Sequence, residues 1–145
     1  MNKAITQLYL RLALGSGFTI PGLDRLGVWG PNGKPWVSWG DWQHFSAYAH
    51  EVMKFLPGGL AEILAVIATI VEISVGILLL PGLFTRQAAI AGGLLTACFA
   101  VAMAISGGIT SPINYSVFTV SAASFLLSTL PEFRWSIDTL ITKKH

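Results

Sequence analysis

From residue 87 to residue 131 the chain carries no charged side chain, and the stretch is interrupted only by the turn-forming "SGGITSPIN". A run of that length and polarity suits two helices that each cross a bilayer, joined by a short connection. Just before it comes "ILAVIATIVEISVGILLLPGLFTR", residues 63 to 86, long enough to span as well, with a single carboxylate, Glu72, inside it. With 53% apolar residues, 11% charged residues and a mean hydropathy of +0.65, the composition belongs to a membrane rather than to water.

The classes this excludes are broad. A formal charge of +2, with basic residues scattered singly except for Lys143 and Lys144, gives no nucleic-acid surface. Cys98 is the only cysteine, so one chain can form no internal disulfide, no CxxC redox pair and no cysteine-rich metal centre. No histidine falls within an apolar run, which argues against a haem held between spans. No metal site, flavin fingerprint or nucleotide fingerprint is evident, and the sequence defines no catalytic set. The N-terminal run, which has Lys3 and Arg11 but no small-residue cleavage pattern, reads as a retained first span.

The fold expected is an all-α membrane protein, a single transmembrane domain over residues 1–145. It is an antiparallel four-helix bundle with spans at about 4–20, 60–84, 87–105 and 115–130. Pro21 and Gly22 are expected to loosen the outer end of the first span. Lys3, Arg86, Arg134, Lys143 and Lys144 flank one side, and Arg25, Lys34 and Lys54 the other, so both termini are expected in the cytoplasm. Residues 24–58 then form a long external loop. Its first half holds four tryptophans among glycines and prolines. Its second half, "DWQHFSAYAHEVMKFLP", repeats apolar residues at three- and four-residue spacing behind a potential cap, Asp41, and predicts an amphipathic helix at the membrane surface.

Charges within the spans are the candidate functional residues. On the second span Ala61, Ala65, Ala68, Glu72 and Gly76 make a stripe of small residues, and on the first Arg11, Gly15 and Gly22 make another. Such stripes allow close helix approach, so Glu72 should face a neighbouring helix. The expectation is a buried Arg11–Glu72 pair, or a protonated Glu72 held by hydroxyls as a proton site. On the outer side Trp36, Trp39, Trp42, Phe45 and Tyr48 supply aromatic walls, and Asp24, Arg25, Asn114 and Tyr115 supply polar groups for a lipophilic ligand. Glu62, near the start of its helix, reads as a favourable partner of the helix dipole, and His44 and His50 as surface residues.

"LRLALGSGF", "GLDRLG", "EISVGILLLPGLFTRQAA" and "GGLLTACFAVAMAISGGITSPINYSVF" together resemble the DoxX family of small bacterial four-helix membrane proteins. The resemblance implies a bacterial inner-membrane protein associated with quinone-linked redox systems, with quinone as the expected ligand. It also implies a membrane or periplasmic oxidoreductase subunit as a partner besides the lipid bilayer, and leaves room for a homo-oligomer. Arg11 and Glu72 stand at family-typical positions without an assigned role, and Arg25 replaces a lysine common among relatives. A non-catalytic scaffold, assembly factor or lipophilic-ligand binder is the competing expectation.

Overall fold

The computed structural model describes residues 2–142, and every regular element among them is a helix: α1 Lys3–Asp24, α2 Trp42–Val52, α3 Gly58–Leu79, α4 Thr85–Gly107, α5 Thr110–Asn114, α6 Val117–Thr129 and α7 Ile137–Thr142. Asn2 starts α1 by accepting the Ala4 amide at 3.0 Å. Pro21 does not end it. The helix continues through Pro21 and Gly22 to Asp24, because packing against α3 outweighs the one backbone hydrogen bond that proline removes. Asp41 caps α2 as its sequence suggests, accepting from the His44 amide at 2.9 Å. That bond, assisted by the His44 side chain, holds the Asp41 carboxyl below the usual carboxylate range.

Four longer helices close a ring: α1 packs on α3, α3 on α4, α4 on α6 and α6 back on α1. Leu14, Phe18, Val75, Leu79, Ala88, Ala89 and Leu127 fill its centre. Close approach depends on glycine. A Cβ at Gly92 would lie 2.8 Å from the Phe18 ring, and one at Gly93 would lie 2.8 Å from Phe125. Ser121 donates to the Gly93 carbonyl at 2.8 Å, a polar tie between α4 and α6.

The register of α1 against α3 positions everything else. Gly22 meets Ile73, Thr19 meets Gly76 and Gly15 meets Leu80, so each step along α1 is matched by an equal step back along α3. In this register Arg25 falls opposite Ile70, and Arg11 falls opposite Phe84, beyond the end of α3 at Leu79. The N-terminal half of α3 therefore has no α1 beside it. There α2 takes over, laying Phe45 and Ala49 on Ala65 with Trp39, Trp42 and Met53 around them.

Helices α3 and α4 are each long and apolar enough to cross a membrane, and most of their apolar windows lie on the outside of the bundle. Ile63, Ile67, Ile70 and Ile77 of α3 and Leu94, Val101 and Ile105 of α4 all stand exposed. A helix apolar both inside and out suits lipid as its outer solvent.

The register makes a steric demand that can be checked. A Cβ at Gly76 would meet Thr19 Oγ1 at 2.2 Å and the backbone at Thr19 N and Gly15 O, whereas a Cβ at Gly17 meets nothing within 4 Å. Gly76→Val should lower stability in detergent by about 1–3 kcal/mol. Gly17→Ala, on the exposed face of α1, should raise it by about 0.5–1 kcal/mol. Thermal unfolding in one detergent measures both, and equal effects would contradict the close contact.

Candidate functional site

Glu72 meets Arg25, not Arg11. Arg25 Nη1 lies 2.6 Å from Glu72 Oε2 and donates to Thr69 Oγ1 at 2.8 Å. Both charged side chains are less than a tenth exposed. The glutamate comes from the small-residue stripe of α3 and the arginine from the residue that terminates α1. Burying either charge alone in an apolar surrounding is costly, and pairing lowers that cost. The Phe45 ring closes the pair from above, with its centroid 3.8 Å from Arg25 Cζ, a cation–π contact. Arg25 Nε remains buried without a partner.

Next to Arg25, Asp24 has a different task. Its Oδ2 accepts the backbone amides of Ser38 at 3.0 Å and Trp39 at 2.7 Å, fixing the far end of the tryptophan-rich loop to the end of α1. Its Oδ1 is buried and unpartnered. Trp39 stacks on Tyr48 with centroids 4.8 Å apart and meets Phe45 edge-on at 5.7 Å, and Trp42 meets Phe45 at 5.4 Å. Asp24, Arg25, Glu72, Trp39, Trp42 and Tyr48 are thus gathered at one place. Desolvation, together with Tyr115, pushes the Tyr48 phenol above its ordinary range. Tyr115 itself is 71% exposed, Asn114 is exposed, and Trp36, 70% exposed, donates to the Trp29 carbonyl away from the pair.

Arg11 belongs to another junction, which corrects the expected Arg11–Glu72 pair. Almost fully buried, it donates from Nη2 to the Trp135 carbonyl at 2.7 Å and from Nη1 to that of Arg134 at 3.5 Å. The reason is the register, which carries Arg11 past the end of α3. Its guanidinium lies against Gly82, whose φ of +73° shapes the α3–α4 turn and where a Cβ would sit 2.6 Å from Nη1. The same C-terminal segment pairs its backbone with Pro81 and Gly82, and the Asp138 carboxylate accepts the amides of Phe84 and Thr85, each at 2.8 Å. Asp138 thereby caps α4 from far along the chain, where Phe84 offers no capping side chain.

A broad open groove of about 1220 Å³ runs at this end, between Phe84, Arg86, Gln87 and residues 131–141. It shares no residue with the Arg25–Glu72 site. The buried charges, not the groove, mark the candidate site, because an ion pair inside an apolar bundle has no role in merely solvating a surface.

The family model DoxX matches residues 6–106, which include most of α1, the loop, α2, α3 and nearly all of α4. This chain belongs to the DoxX family. It is accordingly a membrane protein, in agreement with its two membrane-length helices. No curated protein and no solved structure matches it significantly. Within the DoxX match lie every residue of the Arg25–Glu72 site and Arg11, while the carbonyls that hold Arg11 lie outside it.

Sequence reasoning found Glu72 but not its partner. Phe45 was among the expected aromatic walls, but Thr69 was missed, although it stands one turn from Glu72 on the same helix face and could have signalled a donor or acceptor there. Arg25→Gln or Glu72→Gln alone should each cost about 3–5 kcal/mol by leaving a buried charge unpaired. The double substitution should cost clearly less than the sum. Glu72→Gln with Arg11→Gln should instead be additive, since the two sites lie roughly 18 Å apart along the register. Unfolding free energies of the single and double variants test both statements, and coupling between Arg11 and Glu72 would overturn the assignment.

Proposed function

We propose that this protein is a four-span inner-membrane subunit or accessory of a quinone-linked redox system, with the Arg25–Glu72 pair receiving the polar head of the ligand. The observation that carries the reading is Arg25 Nε, a buried charged donor with no acceptor, set beside a carboxylate and under an aromatic cover. A quinone carbonyl is an acceptor, and its ring is a flat apolar body that suits Phe45, Trp39 and Tyr48. The donor set therefore fits the group. Arg25 would hold the carbonyl, the aromatic rings would orient the ring plane, and Glu72 would keep a proton acceptor close to Arg25. Bound quinone supplies two-electron, two-proton chemistry. The chain's own contribution is to bind, to orient and to exclude water, with electrons arriving from a partner oxidoreductase.

In this reading α1, α3, α4 and α6 span the bilayer, α2 lies at its outer surface, and both termini face the cytoplasm. The basic bias of the flanking residues supports that orientation, as does the exposed apolar surface of α3 and α4. A second reading, a non-catalytic scaffold or assembly factor, is favoured by one feature: Arg25 and Glu72 neutralise each other, as a structural clasp would require.

In a Cys98→Ala background, Asn32→Cys should react with an impermeant thiol reagent on intact cells, and Lys3→Cys only after permeabilisation. Reaction of both from outside would refute the topology. Gently purified protein should carry near-stoichiometric quinone, detected by solvent extraction and mass analysis. Arg25→Gln should lower it at least about tenfold, the loss expected when a charged hydrogen bond is removed. Recovery of bulk lipid alone would favour the scaffold.

A further inference from the structure

Beyond the pair itself, the structure shows how its cover is fastened. Trp42, Ser46 and His50 follow one another at four-residue spacing along a single face of α2, and all three reach the same carboxylate, Glu62 of α3. Trp42 Nε1 donates to Oε1 at 2.8 Å, Ser46 Oγ donates to Oε2 at 2.5 Å, and His50 Nε2 lies 3.1 Å from Oε2. The three α2 positions spread over roughly 12 Å of helix. A long side chain, a short one and a long one let them converge on one group. Among the described residues, every hydrogen bond from an α2 side chain to another helix ends at Glu62.

The rest of the α2 attachment to α3 is apolar, and α2 also packs on α4. Phe45 and Ala49 rest on Ala65, and the Phe45 ring lies over Arg25. At one end α2 follows Gly40, whose φ of +76° and close approach to Asn32 fix the chain, and the loop before it is held by Asp24. At the other end residues 53–57 join α2 to Gly58, the first residue of α3. A helix fixed at one end and bonded through its side chains to a single carboxylate of α3 can turn about the fixed end when that bond is released.

We propose that α2 is a lid over the Arg25–Glu72 pair, hinged near Gly40 and latched by Glu62 through Trp42, Ser46 and His50. Opening it would lift Phe45 from Arg25 and expose the pair to the outer side of the bundle. Glu62 is a positioning residue: it touches neither Arg25 nor Glu72 and acts through α2. The lid does not depend on quinone being the molecule admitted, since its release exposes the same buried surface to any reagent.

The test uses access, not activity. Ala65, 2% exposed, lies directly beneath α2. In full-length Cys98→Ala protein, Ala65→Cys should react slowly with N-ethylmaleimide. Adding Glu62→Ala should raise its rate at least about tenfold, the change expected from loss of charge-assisted hydrogen bonds. Ser46→Ala and His50→Gln should each give a smaller rise. As a reference, Ala89→Cys, in the centre of the bundle and fully buried, should keep its rate in the Glu62→Ala background. An unchanged Ala65→Cys rate would show that apolar contact alone holds α2 down and would overturn the latch. An equal rise at Ala89→Cys would show general loosening and overturn it too. If Ala65→Cys disturbs the fold, Thr69→Cys under Arg25 serves as the probe with the same two outcomes.

Discussion

The fit of Gly15, Thr19 and Gly22 against Gly76, Ile73 and Leu80 is the contact on which the other features depend. It is a steric constraint, since glycine at these points lets two backbones approach to distances that a larger side chain would forbid. Once α1 and α3 are engaged there, their relative height is set. Arg25 is carried down beside Thr69 and Glu72, and Arg11 is carried beyond the last turn of α3. Neither arginine chooses its partner freely. The glycine contacts deliver each to a place where a polar group must already be waiting, because an unpaired charge inside the bundle would cost more than the helix contact returns.

The stagger leaves two exposed lengths of helix, and the chain covers each differently. On the N-terminal half of α3 the cover is α2, attached by apolar contact and one carboxylate. At the N-terminal end of α1 the cover is the segment after α6, attached through its backbone to Arg11, Pro81 and Gly82 and through Asp138 to the start of α4. Backbone-to-backbone and charge-to-backbone bonds spread over several residues resist local opening far better than a single side-chain latch. The two ends of the bundle are therefore unequal by construction. The junction around Arg11 locks three elements, whereas the one around Glu62 leaves a helix able to move over the buried pair.

Much of this was legible in the sequence, and the illegible part has a common cause. Long apolar runs, the stripe through Glu72 and the Asp41 cap are local or periodic signals, and they map onto α1, α2, α3 and α4 directly. The sequence expectation for Glu72 was Arg11 on the first span, or hydroxyls around a protonated carboxyl, whereas the structure sets Arg25, the residue that terminates α1, against it. Relative height is decided by which side chains interlock across two elements, and periodicity within either element says nothing about it. Pro21 misled for a similar reason, since packing carries α1 three residues past the expected break. Asp138 gave no local sign at all of capping a helix more than fifty residues earlier in the chain.

The two buried arginines show why their residue type matters at each place. Arg11 spends its fork on two consecutive carbonyls, a geometry that a lysine ammonium at the end of a flexible stem does not reproduce. Arg25 combines an ion pair, a hydroxyl acceptor and a ring stacked on its face, and still leaves Nε–H unused. A planar cation can do all of this at once because its donors lie in one plane and its face remains free for Phe45. A lysine at position 25 could keep the charge and the contact with Glu72, but it would have neither the stacking face nor the spare in-plane donor. Arg25 is thus the residue that joins the buried pair to the aromatic cover. In this chain the cover and the charge beneath it are parts of a single arrangement.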